Sequence, residues 1–349
     1  MVSPDWKEQY SRQFATEELD EEGQQRLFEA KVGIFGVGGL GSWSSLMLAQ
    51  MGVGHFRLVD RDVVELSNLP RTPIYTLSSV DLPKVEEAEK FLRRINPNAT
   101  FEGLATNIDV DNIEALVQGL DIVVDGLDHF STRYLINQAC LKYKVPYVFA
   151  GGLGTTANLS TFTYRSAGKH PCLACFFGGV DDNALPTCET SGVLATLLAV
   201  ATSLQVAEVV RVLTGSEPLL EGKIAYFDLR SFSLDLFPVK TNPSCPICQQ
   251  PQQNNQEHSK PRISELCGSE SFIVSPKPRR AVNIAKLGET IEETFEVGKK
   301  GSLGLTLVVD GATVSVFNSG TILIRGVGTK DKAEQIYSTI RDTIEQALV

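Results

Sequence analysis

Lys31-Val32-Gly33-Ile34-Phe35-Gly36-Val37-Gly38-Gly39-Leu40-Gly41 opens a stretch that continues through a helical segment to Phe56-Arg57-Leu58-Val59-Asp60-Arg61-Asp62. An apolar run, a Gly-x-Gly-x-x-Gly turn, a helix, a second apolar run and an acid are the parts of a βαβ unit. In such a unit the glycines let the backbone turn tightly and approach a phosphate. The helix N-terminus offers free N–H groups, and the acid accepts ribose hydroxyls. The stretch therefore predicts a nucleotide site without saying what is done to the nucleotide.

The alternation continues outward. Pro83-Lys84 starts a helix that ends near Ile95-Asn96-Pro97, Phe101–Ala105 reads as a strand, Asp111–Gly119 as a helix and Ile122-Val123-Val124 as a buried strand. Thr132–Tyr143 is a helix and Tyr147–Ala150 a strand, after which the pattern turns to hairpin-like strands such as Leu159–Tyr164. The expected fold is α/β, with a Rossmann-like, largely parallel sheet whose site lies at the strand C-terminal ends. Residues 250–261 carry almost no apolar side chain and read as a linker. Beyond them, the Asp310-Gly311 turn between two alternating runs and an amphipathic segment, Asp331–Leu348, predict a small α+β domain. The expected units are thus 1–249, the linker 250–261, and 262–349.

Composition narrows the function classes. At 349 residues with 42% hydrophobic side chains the chain supports more than one core, and its formal charge of −10 argues against a nucleic-acid-binding surface. Residues 1–8 lack the basic start and apolar core of a signal peptide, so the cytoplasm is the expected compartment. The apolar stretch Val193–Val212 is interrupted by Ser203, Gln205, Glu208 and Arg211, which favours a buried helix over a membrane span. No membrane partner is expected.

Two Cys-x-x-Cys pairs, Cys172/Cys175 and Cys245/Cys248, are the strongest metal signal in the chain. Four thiolates in two chelating pairs suit a closed tetrahedral zinc site with no open position for substrate. Cys188 stands alone before the long apolar helix, where a helix dipole favours the thiolate; the competing reading is a small residue at a helix start.

The glycine turn alone fits a nicotinamide-dependent oxidoreductase as well as anything else. The residues downstream of it narrow the choice: Asp60 and Asp62, then Ser67-Asn68-Leu69-Pro70-Arg71, then Lys84, then Asp128 gather cations, an amide and acids at strand ends. Phosphoryl or nucleotidyl transfer needs that set, since its catalysis is mostly positioning and charge neutralisation.

With these motifs in this order, Tyr10–Gln249 resembles the MoeB/ThiF/HesA family of ubiquitin-activating-type adenylyltransferases. The resemblance implies Mg-ATP-dependent adenylation of the C-terminal glycine of a ubiquitin-like or sulfur-carrier protein. It also implies that Gly39 and Gly41 lie against the nucleotide and that Asp60 holds the ribose. Asn68, Arg71 and Lys84 would bind phosphates, with Asp62 and Ser67 beside them, and Asp128 would bind magnesium. Arg12 would reach the partner's ATP across a homodimer. A cysteine at the place of Cys188 forms a thioester or relays sulfur in some members and not in others. The chain departs from the pattern at His129, where many relatives carry Asn, and at Pro70; His129 is a supporting group for Asp128 or a structural one. The C-terminal unit resembles, more weakly, an extension on some bacterial and archaeal members. Besides the oxidoreductase, the rival readings are a non-catalytic scaffold, which predicts loss of the charged set, and a tRNA-modifying dehydratase, which the acidic balance disfavours.

Overall fold

A computed structural model describes residues 6–16, 18–164, 171–182, 191–249, 262–266, 270–292 and 294–349. Cys188 and the whole of the expected linker, 250–261, lie outside these residues.

Two single helical turns, α1 (Trp6–Gln9) and α2 (Ser11–Phe14), lead into α3 (Glu21–Glu29), whose first turn is capped by the Asp20 carboxylate accepting the Gly23 N–H at 2.7 Å. The alternating unit comes next, as β1 (Lys31–Phe35), α4 (Gly39–Gln50), β2 (His55–Asp60), α5 (Lys84–Ile95), β3 (Thr100–Ala105), α6 (Ile113–Val117), β4 (Ile122–Asp125), α7 (Phe130–Tyr143) and β5 (Tyr147–Leu153). An antiparallel run, β6 (Thr156–Phe162), β7 (Lys223–Asp228) and β8 (Ser233–Pro238), completes an eight-stranded sheet in the order β3-β2-β1-β4-β5-β6-β7-β8. The first five of these positions are parallel. Such strands are covered on both faces, which is why β1, β2 and β4 read as continuous apolar runs rather than alternating ones: Val32, Ile34, Leu58, Val123 and Val124 are completely buried.

Helix α8 (Leu173–Phe177) holds Cys175 and is preceded by Cys172 as its N-cap, and α9 (Ala195–Thr214) packs across β4, β5 and β6. By length and hydropathy α9 is the one described helix able to cross a membrane, yet its buried polar groups bind the sheet. Gln205 Nε2 donates to the carbonyls of Asp125 (2.8 Å) and Val148 (3.0 Å), and Glu208 accepts from Thr161 Oγ1 and from the Leu219 and Leu220 N–H groups. Two of the polar interruptions read in the sequence, Gln205 and Glu208, are therefore the helix's attachment to the strands, whereas Ser203 bonds Ala199 within the helix.

A second, six-stranded antiparallel sheet has the order β11-β12-β13-β14-β10-β9, from β9 (Arg262–Leu266), β10 (Ser271–Ser275), β11 (Glu296–Lys300), β12 (Gly304–Val309), β13 (Ala312–Phe317) and β14 (Ile322–Arg325). Helices α10 (Ile284–Ile291) and α11 (Lys330–Gln346) close one face over Val274, Leu307 and Val314, with Ile336 of α11 among the buried contacts. The other face sends Ile273, Phe317 and Leu323 into the core of the first sheet.

The expected elements recur with shifted ends. The segment read as a helix over Asp111–Gly119 is helical only over Ile113–Val117, because Asp109 and Asn112 tie up the preceding backbone in side-chain turns. The loop Leu66–Arg71 is a 3₁₀ helix capped by Glu65. Strands β9, β10 and β11 and helix α10 are additions to what the sequence suggested.

Candidate functional site

The site forms where β1, β2 and β4 end. The chain leaves β1 at Gly36 with φ +85°, and there three backbones cross: a Cβ on Gly41 would lie 1.8 Å from the Gly36 carbonyl oxygen, and one on Gly126 would lie 2.1 Å from the same atom. Gly41 is thus required by packing of α4 against β1. Gly39, by contrast, faces Leu198 and the Arg71 side chain, and Gly38 opens onto free space. The crossing sets the mouth of the cleft with no side chain in it.

Asp60, at the end of β2, is buried, with one oxygen accepting the Val37 N–H at 2.7 Å and the other the Asp62 N–H at 2.8 Å. Burial pushes its carboxyl up, opposed by Lys84 and by these two N–H groups. Lys84 opens α5, where a cation opposes the helix dipole, but its Nζ sits 2.9 Å from Asp62 Oδ2. The carboxylates of Asp62 and Asp60 outweigh desolvation and hold the ammonium well above its ordinary range. For Asp62, Lys84 and Arg61 outweigh burial and keep the carboxyl below its ordinary range. Tyr75 bridges this floor, donating to the Val37 carbonyl at 2.7 Å.

On the 3₁₀ turn, Asn68 is buried with Oδ1 accepting the Glu65 N–H at 3.2 Å, Ser67 Oγ lies 3.3 Å from Glu65, and the Arg71 guanidinium bonds the Ser67 carbonyl. Asp128 stands just after β4 with an exposed carboxylate, 2.6 Å from His129 Nδ1. The cleft walls push its carboxyl up, but the His129 hydrogen bond and charge, with Arg61 and Lys84, win and hold it well below the usual range. That hydrogen bond in turn raises the His129 imidazole. His129 Nε2 is buried with no partner among the described residues.

Four features of this end of the sheet were missed in the sequence. Arg133 forms a buried ion pair with Asp125 at 3.0 Å, donates to the carbonyls of Leu127 and Ala150, and lies between the rings of Phe130 and Phe149. Tyr147 completes the pair's hydrogen bonding, so the turn carrying Asp128 is held from below. Asp182 caps α7 through the Phe130 and Ser131 N–H groups at 2.5 and 3.0 Å. Arg61 bonds Asn107 Oδ1 at 2.9 Å. Asp125 had a readable signal, an acid at a strand end; Arg133, Asn107 and Asp182, which lies 52 residues along the chain from the helix it caps, had none.

The four paired cysteines converge, with all four Sγ atoms within 4.8 Å of one another. Cys172 and Cys245 are 3.6 Å apart and Cys175 and Cys248 3.4 Å. These spacings exclude disulfides, whose sulfurs lie about 2.0 Å apart, and match tetrahedral zinc thiolate, whose sulfurs are spaced by roughly 3.8 Å. Cys140 is a buried core thiol.

Arg12 is exposed and stands at the other end of α4. It lines a largely apolar cavity of about 660 Å³ with Met47, Met51, Val206, Val210 and Arg211. A 12-residue helix is about 18 Å long, so α4 separates Arg12 from the glycine turn of its own chain. The structure therefore brings Gly39, Asp60, Asp62, Ser67, Asn68, Arg71, Lys84, Asp128 and His129 to one end of the sheet and leaves Arg12 at the other.

Residues 10–247 match the sequence profile of the ThiF family. The SAMP-activating enzyme E1 of Haloferax volcanii is 34% identical over 242 residues, covering 69% of this chain and 88% of that protein. The molybdopterin-synthase adenylyltransferase of Escherichia coli is 35% identical over 69% of this chain and 96% of its own. The sulfur carrier protein ThiS adenylyltransferase of Bacillus subtilis is 31% identical over 341 residues, 94% of this chain and 97% of that one, so the likeness extends through the C-terminal sheet. A crystal structure of E. coli MccB with ATP aligns with a TM-score of 0.61 at 26% identity, over 69% of this chain and 75% of that one.

Proposed function

The chain belongs to the ThiF family, and from that premise we propose that it uses ATP to adenylate the C-terminal glycine of a ubiquitin-like or sulfur-carrier protein. It is an adenylyltransferase of the ubiquitin-activating type, and the named relatives act on carriers of this kind. The observation that carries the reading is the gathering of Asp60, Asn68, Arg71, Lys84 and Asp128 around the glycine turn.

The chemistry rests on what each group can do. A carboxylate oxygen of the carrier attacks the α-phosphorus of ATP, the bond to the bridging oxygen breaks, and pyrophosphate departs with that electron pair. Asp60 already accepts two backbone N–H groups, and its remaining lone pairs accept ribose hydroxyls. Arg71, Lys84 and Asn68 supply donors to the phosphates and stabilise the leaving charge. Asp128 is the candidate magnesium ligand: its carboxylate is exposed at the cleft and held ionised, which suits a hard cation. Magnesium, when bound there, would neutralise phosphate charge. Zinc is assigned to the four-cysteine cluster as a structural cross-link between α8 and the segment after β8.

Two copies of the chain make the full site in this reading, each Arg12 serving its partner's ATP; its distance from its own glycine turn supports that. Cys188 is the proposed acceptor of the activated carboxylate, as a thioester or in a sulfur relay. Asp182, six positions before it in the sequence, is bonded to the first turn of α7 next to His129, and six residues of chain span at most roughly 20 Å. The 1–249, 250–261 and 262–349 division stands as the proposed domain plan, and the cytoplasm as the proposed compartment.

Exchange of labelled pyrophosphate into ATP, dependent on a carrier ending in glycine, tests the assignment. Exchange that vanishes when the terminal glycine is removed supports it. No exchange with a panel of ThiS- and SAMP-like carriers and other ubiquitin-like proteins ending in glycine overturns it.

A further inference from the structure

The charged set assigned to ATP leaves Arg61 unused, although it stands between two acids of that set. Its guanidinium turns toward the end of β3 and donates to Asn107 Oδ1 at 2.9 Å. Asn107 is itself buried and held by the second sheet: its Nδ2 lies 3.4 Å from Ser275 Oγ, its N–H 3.3 Å from Thr321 Oγ1, and its carbonyl accepts from Arg279 at 3.0 Å. Arg279 also bonds Thr106 and forms an ion pair with the buried carboxylate of Asp109. A chain of contacts thus runs from the C-terminal unit to the residue next to Asp60.

The order of strands says which part of the nucleotide this chain meets. Phosphate groups are assigned to the β1 turn and Asp128 after β4, and the ribose to Asp60 after β2. One strand further out is β3, where Asn107 and Arg61 meet. The part of a nucleoside triphosphate that lies beyond the ribose is the base. A planar guanidinium held at its rim by an amide is suited to stacking on a heteroaromatic ring, which an ammonium cannot do.

We propose that Arg61 stacks on the nucleotide base and that the C-terminal unit, through Arg279 and Asn107, positions it there. Arg61 is the contacting residue; Asn107 and Arg279 are positioning residues. The C-terminal unit grips the phosphate side as well. Arg325 pairs with Glu65, the cap of the 3₁₀ turn carrying Asn68 and Arg71, and with Asp81, while Glu86, two residues after Lys84, accepts the Ser302 and Leu303 N–H groups. This unit is therefore part of the nucleotide site's construction rather than an appendage.

The inference rests on the adenylation reading, and titration of the full-length chain with ATP alone separates the two. A wild-type chain that neither binds ATP nor supports exchange would undo the reading itself. With wild-type binding in hand, Arg61→Ala is expected to weaken ATP by about tenfold, and Arg61→Lys to weaken it nearly as much. In carrier-dependent exchange the loss should fall on KM for ATP, with kcat within about twofold. Asn107→Ala and Arg279→Ala should each weaken ATP by a few-fold, yet neither should add to Arg61→Ala, since all three act through one contact. Variants are compared only where their melting curves show folding; Asn107→Ala serves if Arg279→Ala does not fold. Affinity unchanged in Arg61→Ala, full recovery in Arg61→Lys, or additive losses in the double variants would overturn the proposal.

Discussion

Lys84 Nζ lies 2.9 Å from Asp62 Oδ2, a pair that joins the first turn of α5 to the loop after β2 and leaves the lysine only 11% exposed. Together with Asp60 it makes a buried cluster of two acids and one cation, in which Lys84 is already paired before any ligand arrives. The cation at an unfavourable helix end is thus explained from within the protein, and ATP phosphates would compete with Asp62 for it.

Lys84→Ala is therefore expected to do two things. Carrier-dependent exchange should fall by at least about a hundredfold, the scale of losing one charge-stabilising donor. Stability should fall by about 1–3 kcal/mol, because two carboxylates lose their partner. Adding Asp62→Asn should restore much of the stability and none of the activity. Urea unfolding beside exchange assays distinguishes the effects, and an active Lys84→Ala enzyme would remove Lys84 from the site.

Arg12 makes a prediction about pairs of chains. Arg12→Ala and Asp128→Ala homodimers should each be nearly inactive. After mixing and subunit exchange, about a quarter of wild-type activity should return, because half of the dimers then hold one intact site of two. Activity that stays at the sum of the separate variants would place Arg12 outside the reaction.

The cysteine cluster should hold one zinc ion per chain by elemental analysis. Cys172→Ser is expected to lose the metal and lower the melting midpoint by roughly 10 °C. Cys188→Ser should keep its zinc and its ATP exchange while losing any covalent adduct with the carrier seen by mass spectrometry. Zinc content unaffected by Cys172→Ser would refute the site.

Glu86 gives a pH signature. Burial would raise its carboxyl, but the Lys90 hydrogen bond and the Leu303 and Ser302 N–H groups outweigh it and hold the group below the ordinary glutamate range. The unfolded chain thus binds this proton more readily than the native one. The stabilisation is complete above about pH 5 and declines as pH falls through the unfolded value near 4.3 toward the native one. Glu86→Gln should cost about 1–2 kcal/mol at neutral pH and flatten the decline between about pH 5 and 3. Parallel stability curves for the two proteins would show that Glu86 does not hold the C-terminal unit.

Much of the first sheet was readable because parallel strands and their crossover helices carry local patterns. The apolar run from Val32, the glycine turn and the acid at Asp60 fall within one short stretch, and each reports backbone geometry directly. The antiparallel unit was read at its Asp310-Gly311 hairpin, the strand that follows it and the terminal helix; β9, β10 and β11 are short or mixed in polarity and have no turn signal as clear. Gly41 shows the limit even inside the motif. Its spacing pointed to the nucleotide, whereas the 1.8 Å approach to Gly36 explains its lack of a side chain by packing.

By itself the sequence determined the βαβ nucleotide unit, the two chelating cysteine pairs and the inventory of charges, because spacing along a chain dictates which residues share a strand end or a turn. Tertiary structure decided which charges meet. Strand order brings Asp125 to Arg133, Arg61 to Asn107 and Glu86 to Ser302, and sets α4 between Arg12 and its own glycine turn. Those partners are chosen by how sheets and helices pack, and apolar periodicity, which says only that a face is buried, does not say against what.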